Sequence, residues 1–347
     1  MTAGISGLAY ALPVGQLTHE ELQERFGHDE MDRLVVNTGI MTRRVSTQSE
    51  CASDLAFTAA TALFKNSDVD PSTIDFVLFA TQMPDYLLPT TACILQDRLG
   101  ISKDAGAFDI NLGCSQYIYS HATAYALVNS GLAKKVLVMT GDTPSRIVNQ
   151  NDRSVVPLFG DAGTAAIVED TGTTAGFQSF AFGSDGSKHQ TLIWPASGMR
   201  VKCDENSGIE ITDKLGSIRS QNDMYMDGQN IFLFTLKTVP KTLKDFMSNE
   251  NLVVDDIDFF VFHQASKLIV ESIVKKLGIP EYKFNRIYES RGNSGGSTVG
   301  ISLHHALSEG QIKPGSKIIM SAFGVGLSWA HTYIIWPEID VKTIAIE

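Results

Sequence analysis

The feature that most limits how this chain can fold is an internal repeat. The segment IDFVLFA at Ile74–Ala80 returns as IDFFVFH at Ile257–His263, an offset of 257 − 74 = 183 residues. The stretch NSGLAKKVLVMTGD at Asn129–Asp142 is echoed by SEGQIKPGSKIIMSAFG at Ser308–Gly324. There Lys135 to Lys317 gives 182, and Met139 to Met320 gives 181. Apolar strands resemble one another by chance, but chance does not hold the spacing constant. Two homologous halves are therefore predicted, at residues 1–175 and 176–347. Each is long enough to bury a core without a disulfide or metal staple.

Within each half, strand and helix patterns alternate. The runs FVLFA, KKVLVMTG, TAAIVED and KIIMSAFG are apolar nearly throughout, as in strands buried on both faces. Between them lie helical patterns, one over Ser53–Lys65 and one over Ser115–Ser130, the latter stopped by Gly131. Repeated βαβα order predicts an α/β fold with helices on both sheet faces. The polar, irregular stretch Gly183–Gln229 reads as the crossing between the halves and part of a substrate wall.

Composition removes several function classes. A net charge of −11 lacks the basic field that nucleic acid requires, so no nucleic-acid partner is predicted. The first apolar stretch stops at Pro13 without a basic leader, and mean hydropathy is +0.01; neither a signal peptide nor membrane insertion is predicted. Cys51, Cys93, Cys114 and Cys203 form no CxxC pair, so we expect no metal site and a reduced, cytoplasmic protein.

Cys114 stands apart from the other cysteines. A strand over Ala107–Ile110 runs through Gly113 into a helix starting near Ser115, placing the thiol at the positive end of the helix dipole. That position favours thiolate, and free N–H groups of the first turn can hold an oxyanion. Cys51, Cys93 and Cys203 are read as buried packing residues. In the second half, His263 closes an apolar strand at the sheet edge where α/β folds bind ligands. A helix is predicted over Ala265–Leu277 behind it. Asn293 lies in the glycine-rich turn GNSGGS; the separation 293 − 114 = 179 suggests it as the pseudo-symmetric partner of Cys114. His121, His304 and His305 are assigned to packing or surface.

These segments resemble the thiolase-fold condensing enzymes, and within them the β-ketoacyl-[acyl-carrier-protein] synthase III family. The matches run nearly end to end: NTGIMTRR, LPTTACILQDRLGI, NLGCS, DRSVVPLFGDAGTAAIVE, MDGQNIF, HQAS, GNSGGS and AFGVGLSW, in the family's order. The resemblance implies a duplicated thiolase-like fold with five αβαβα layers, and a homodimer. It also implies a Cys114–His263–Asn293 catalytic trio. Thiolases carry a second cysteine in the C-terminal glycine loop, and Ala322–Leu327 has none.

The implied reaction is a decarboxylative Claisen condensation in fatty acid or specialised acyl metabolism. Cys114 takes an acyl group from acyl-CoA, with the backbone N–H groups of Cys114 and Val325 as oxyanion hole. A malonyl thioester on acyl carrier protein then loses carbon dioxide, its enolate held by His263 and Asn293. No tightly bound cofactor is implied. Transfer of the Cys114-bound acyl group to an alcohol or amine is the alternative outcome. The resemblance also marks departures. Gln116 replaces the usual glycine, Gly295–Gly296 replaces two alanines, and Met41 stands where a basic residue is common. Arg33 replaces the tryptophan that stacks on coenzyme A, Arg153 keeps the phosphate-contacting arginine, and Leu88 replaces a gating aromatic of the substrate pocket. Lys237, Lys241, Lys244, Lys267, Lys275 and Lys276 form either a carrier-protein docking patch or a solvated helix face.

Overall fold

The computed structural model describes residues 2–67, 69–338 and 341–347. Its two principal sheets are built from β1 (Ala3–Ala11), β2 (Phe76–Ala80), β3 (Gly106–Ile110), β4 (Lys135–Asp142), β5 (Ala162–Asp170), β6 (Gly176–Ser184), β7 (Phe259–Phe262), β8 (Lys317–Gly324), β9 (Ser328–Ile335) and β10 (Lys342–Ile346). The helices that matter for the site are α1 (His28–Thr38), α2 (Ala52–Ser67), α3 (Gln116–Asn129), α4 (Gly228–Asn249), α5 (Lys267–Leu277) and α6 (Ser297–Ser308). The first sheet runs β10–β1–β5–β4–β2–β3 and the second β7–β8–β9–β6.

The repeat is visible strand by strand. In the first sheet β2 pairs parallel to β4 with Phe76 opposite Val136; in the second β7 pairs parallel to β8 with Phe259 opposite Ile318. Each pair is then extended by two antiparallel strands, β5 and β1 in one sheet, β9 and β6 in the other. Strand β3 has no counterpart among the described residues. Between α5 and α6, where chain order would place it, the second half forms the short helices Glu281–Lys283 and Tyr288–Arg291.

Five layers follow from how the apolar residues alternate. Leu78, Val136 and Val138 face a central core together with Phe259, Val261, Ile318 and Met320 of the other sheet. Helices α3 and α6 fill that space, and their buried residues include Tyr117, Ile118, Val299 and Leu303. Val77, Phe79, Leu137 and Met139 point the other way, onto the alanine-rich face of α2. Phe260, Phe262 and Ile319 point outward onto α4 and α5, meeting Val239, Leu243, Val270 and Ile273. Both faces of both sheets are therefore covered, which is why their strands read as continuous apolar runs.

Two expectations are corrected. Strand β6 already belongs to the second sheet, so the chain changes sheets between Asp170 and Gly176. The polar stretch after β6 is thus an insertion within the second half, folded into short two-stranded ribbons, and is not the crossing. The helix expected to open at Ser53 begins at Ala52, and the free backbone N–H of Cys51 donates to Asp54 Oδ2 at 2.9 Å. Among the described residues no helix is long and apolar enough to cross a membrane.

Candidate active site

Cys114 lies between the end of β3 and the first residue of α3, and is the one buried cysteine of the four. The end of β8 closes over it. Gly324 has φ +157°, and a Cβ there would stand 2.5 Å from Cys114 Sγ, so this position excludes any side chain. The backbone N–H groups of Val325 and Cys114 are directed at the sulfur. They are the pair of donors expected for an oxyanion hole.

The protonation state differs from the expectation. Burial pushes the Cys114 thiol up to about 11, against the two N–H groups, and the Asp142 charge adds to the rise. Loss of water from around the sulfur outweighs the two N–H donors. Cys114 therefore rests as a thiol at neutral pH. The other cysteines were expected inside, yet Cys93 and Cys203 are exposed and Cys51 is half-buried, its sulfur accepting from Arg146 Nη1 at 3.2 Å.

His263 follows β7 directly and is buried, with its ring edge-on to Phe323 at 5.7 Å between centroids. Burial pulls its pKa down to about 4, partly offset by the Gly295 carbonyl, so the imidazole is neutral at physiological pH. Its Nδ1 lies 2.7 Å from Thr298 Oγ1. Asn293 is held through its backbone to Leu158 and Gly160 of the first half, at 3.0 Å each. The N–H of Gly295 donates to Asn293 Oδ1 at 3.1 Å. With that oxygen engaged, the amide NH₂ is the group left for a ligand.

The structure thus brings the trio together around two short segments. Phe323–Val325 touches Cys114 on one side and His263 on the other, while Gly295 ties Asn293 to the His263 environment. A carboxylate missed by the sequence reading stands beside them. Asp142 closes β4 and accepts from Gln82 N at 3.1 Å, Thr81 Oγ1 at 3.2 Å and Gln116 Nε2 at 2.7 Å. Burial pushes it up to about 7 despite these donors. Its signal was available: like His263, it ends an apolar run at the functional edge of its sheet.

Two departures from the family pattern prove to be one. A Cβ on Gly296 would stand 2.4 Å from Gln116 Cγ, so the larger residue at 116 occupies the space that glycine leaves at 296. The remaining sites are further out. Arg153 Nη1 pairs with Glu30 Oε2 of α1 at 2.8 Å, and its guanidinium lies 5.9 Å from the Phe26 ring. Arg33, one turn along α1, is exposed and donates to Asp29 O at 2.9 Å. Leu88 is 88% exposed, with Tyr86 and Leu87 exposed beside it. Met41 is exposed, as are the six lysines of α4 and α5. Lys241 pairs with Asp245, and Lys276 donates to Leu236 O at 3.0 Å. His121 and His304 are buried packing residues, and His305 is exposed.

A duplicated αβαβα sandwich with a buried cysteine heading its central helix defines a thiolase-fold condensing enzyme. Residues 108–186 match the family 3-oxoacyl-[acyl-carrier-protein (ACP)] synthase III, and residues 247–336 match the family of its C-terminal part. The chain is 34% identical to β-ketoacyl-[acyl-carrier-protein] synthase III of Fusobacterium nucleatum, over 96% of this chain and 98% of that protein. A crystal structure of a 3-oxoacyl-(acyl-carrier-protein) synthase III superposes with a TM-score of 0.94 at 36% identity, covering 97% of this chain and 100% of that one. The 3-oxoacyl-(acyl-carrier protein) synthase of Burkholderia xenovorans follows at 0.91 and 31%, covering 99% and 97%. The chain belongs to the β-ketoacyl-[acyl-carrier-protein] synthase III family, an acyltransferase family of the condensing-enzyme class.

Proposed function

We propose that this protein joins an acyl group to a malonyl thioester by decarboxylative Claisen condensation. The observation that carries the reading is the wall Phe323–Val325, which backs a buried thiol and a buried neutral imidazole at once. Cys114 attacks the acyl thioester, the tetrahedral oxyanion rests on the N–H groups of Cys114 and Val325, and the thiol proton leaves with the departing thiol. The malonyl thioester then loses carbon dioxide. The Asn293 amide and the His263 ring donate to the enolate oxygen, so the charge is held by oriented dipoles. The enolate carbon attacks the acyl-cysteine, releasing a β-ketoacyl thioester and the Cys114 thiolate, which takes up a proton from solvent. Both acyl-CoA and malonyl-acyl carrier protein are substrates, and no step calls for a tightly bound cofactor. On this reading residues 1–175 supply the nucleophile and residues 176–347 the enolate donors, in a cytoplasmic enzyme.

We further propose two protein contacts. Strand β3 is an open sheet edge with Phe108 exposed, and Leu88 is presented to solvent nearby in sequence. Pairing of β3 with its copy would form a homodimer in which each Leu88 reaches its neighbour's acyl site. The exposed lysines of α4 and α5 suit an acidic carrier protein. Peptide mapping after incubation with an acyl-CoA tests the core of the reading. The acyl label belongs on Cys114, and label on Cys93 or Cys203 sinks the assignment. Product analysis with and without malonyl thioester separates condensation from acyl transfer to an alcohol or amine.

A further inference from the structure

We propose that Thr298 is a positioning residue that sets the tautomer of His263, making the imidazole a donor toward the enolate. The inference rests on the condensation reading and adds a residue to it. The Thr298 hydroxyl sits at a junction. Gln264 N–H donates into its oxygen at 3.1 Å, and its single proton has two acceptors in reach, Gly295 O at 2.9 Å and His263 Nδ1 at 2.7 Å. The Gly295 carbonyl has a second donor, the backbone N–H of Thr298 at 3.3 Å. It therefore stays satisfied when the hydroxyl turns to the imidazole.

A neutral imidazole carries one N–H, so the partner at Nδ1 decides what Nε2 can do. When the Thr298 hydroxyl donates to Nδ1, the ring proton is on Nε2, which can then donate to a bound enolate. When the proton sits on Nδ1, that N–H binds Thr298 Oγ1, and Nε2 meets the enolate with a lone pair. Removing the hydroxyl removes the one donor that holds Nδ1 unprotonated, and so opens this second, unproductive form.

Nitrogen NMR of ¹⁵N-histidine-labelled protein, with His263 assigned by its absence from the His263→Ala spectrum, reads the tautomer directly. Wild type should carry its proton on Nε2. Thr298→Val should move it to Nδ1 and slow malonyl decarboxylation by about 10²–10³, as loss of one oxyanion donor does. Acylation of Cys114 should change by no more than a few-fold, and Thr298→Ser should restore both the spectrum and the rate. A wild-type proton on Nδ1 overturns the proposal, and so does a Thr298→Val enzyme that keeps the Nε2 proton or decarboxylates normally. Should the valine variant fail to fold, the wild-type spectrum decides alone. If wild type decarboxylates no malonyl thioester, the condensation reading fails instead, and the tautomer is still measured.

Discussion

At the end of the parallel strand that both halves share, the first half carries Ala80 and the second His263, positions related by 263 − 80 = 183. At the end of the neighbouring strand the first half carries Asp142 and the second Gly324. Ahead of the central helix the first half carries Cys114. Since α3 starts at Gln116 and α6 at Ser297, the shift is 297 − 116 = 181, and the counterpart of Cys114 is Gly295. The contacts are reciprocal: a Cβ on Gly324 would strike Cys114 Sγ at 2.5 Å, and a Cβ on Gly295 would strike Asp142 Oδ2 at 2.8 Å. The duplication thus builds the same niche twice, a glycine of one half against a functional atom of the other. One niche holds the Cys114 thiol and the second the Asp142 carboxylate. Asn293, suggested by sequence spacing as the partner of Cys114, falls two residues short of the equivalent place. A symmetric frame is loaded asymmetrically, and the chemistry lies in the differences.

The sharpest way to break this comparison is to remove the second half's donors. Asn293→Ala and His263→Ala should each leave Cys114 acylation nearly intact and slow malonyl decarboxylation by about 10²–10³. Stopped reactions with malonyl thioester on pre-acylated enzyme measure the difference. If Asn293→Ala condenses at the wild-type rate, the division of labour between the halves is wrong.

The second niche can be tested through pH. Burial pushes Asp142 up to about 7 from the ordinary carboxylate value, so the folded protein binds its proton more tightly than the unfolded chain does. Its contribution to stability is therefore full below the ordinary carboxylate range and is lost as pH rises toward about 7. Asp142→Asn removes that slope. Denaturant midpoints should show the variant gaining on wild type between acid and neutral pH, by on the order of 1–3 kcal/mol. A constant difference across that range would mean that Asp142 binds its proton equally well in the folded and unfolded chain, with no upward shift.

The interlock between Gln116 and Gly296 predicts a coupled pair. Gly296→Ala forces a methyl against Gln116 Cγ and should destabilise the protein by ~1–3 kcal/mol. Gln116→Gly alone strips a donor from buried Asp142 and should cost a similar ~1–3 kcal/mol. Together the substitutions relieve the clash, so the double variant should be at least ~1 kcal/mol more stable than the summed singles predict. Additive effects would show that the two departures are independent.

What the sequence made legible was whatever rests on chain-local pattern. The strand repeat, the strand–Gly113–Cys114–helix elbow and the edge position of His263 all follow from periodicity and punctuation, and the fold holds them as read. What stayed hidden depends on distance across the two halves. The thiol state of Cys114 is set by burial between β8 and α3, which no local pattern reports. Thr298 and Gly295 matter through atoms they meet from other elements. Leu88 is marked as pocket lining by resemblance alone, and in the single chain its side chain is exposed.

The smallest expected effect concerns how the halves divide the donor. On the first half, Arg153 is already paired with Glu30 at 2.8 Å, so on the proposed reading a coenzyme A phosphate would compete with a carboxylate for the guanidinium. On the second half, exposed Lys237 and Lys244 have no such carboxylate partner among the described residues. The Arg153–Glu30 pair is about one-third exposed on each side, and pairs of that kind are worth ~0.2–1 kcal/mol. Glu30→Gln should therefore raise kcat/KM for Cys114 acylation by acyl-CoA about twofold to fivefold. Acyl-pantetheine has no nucleotide phosphate and should be unaffected. Acyl-carrier protein should respond instead to charge reversal at Lys237 and Lys244, and hardly to Glu30→Gln. If Glu30→Gln changes acyl-CoA and acyl-pantetheine alike, Glu30 acts on the pantetheine channel or on folding, and the nucleotide is not read by Arg153.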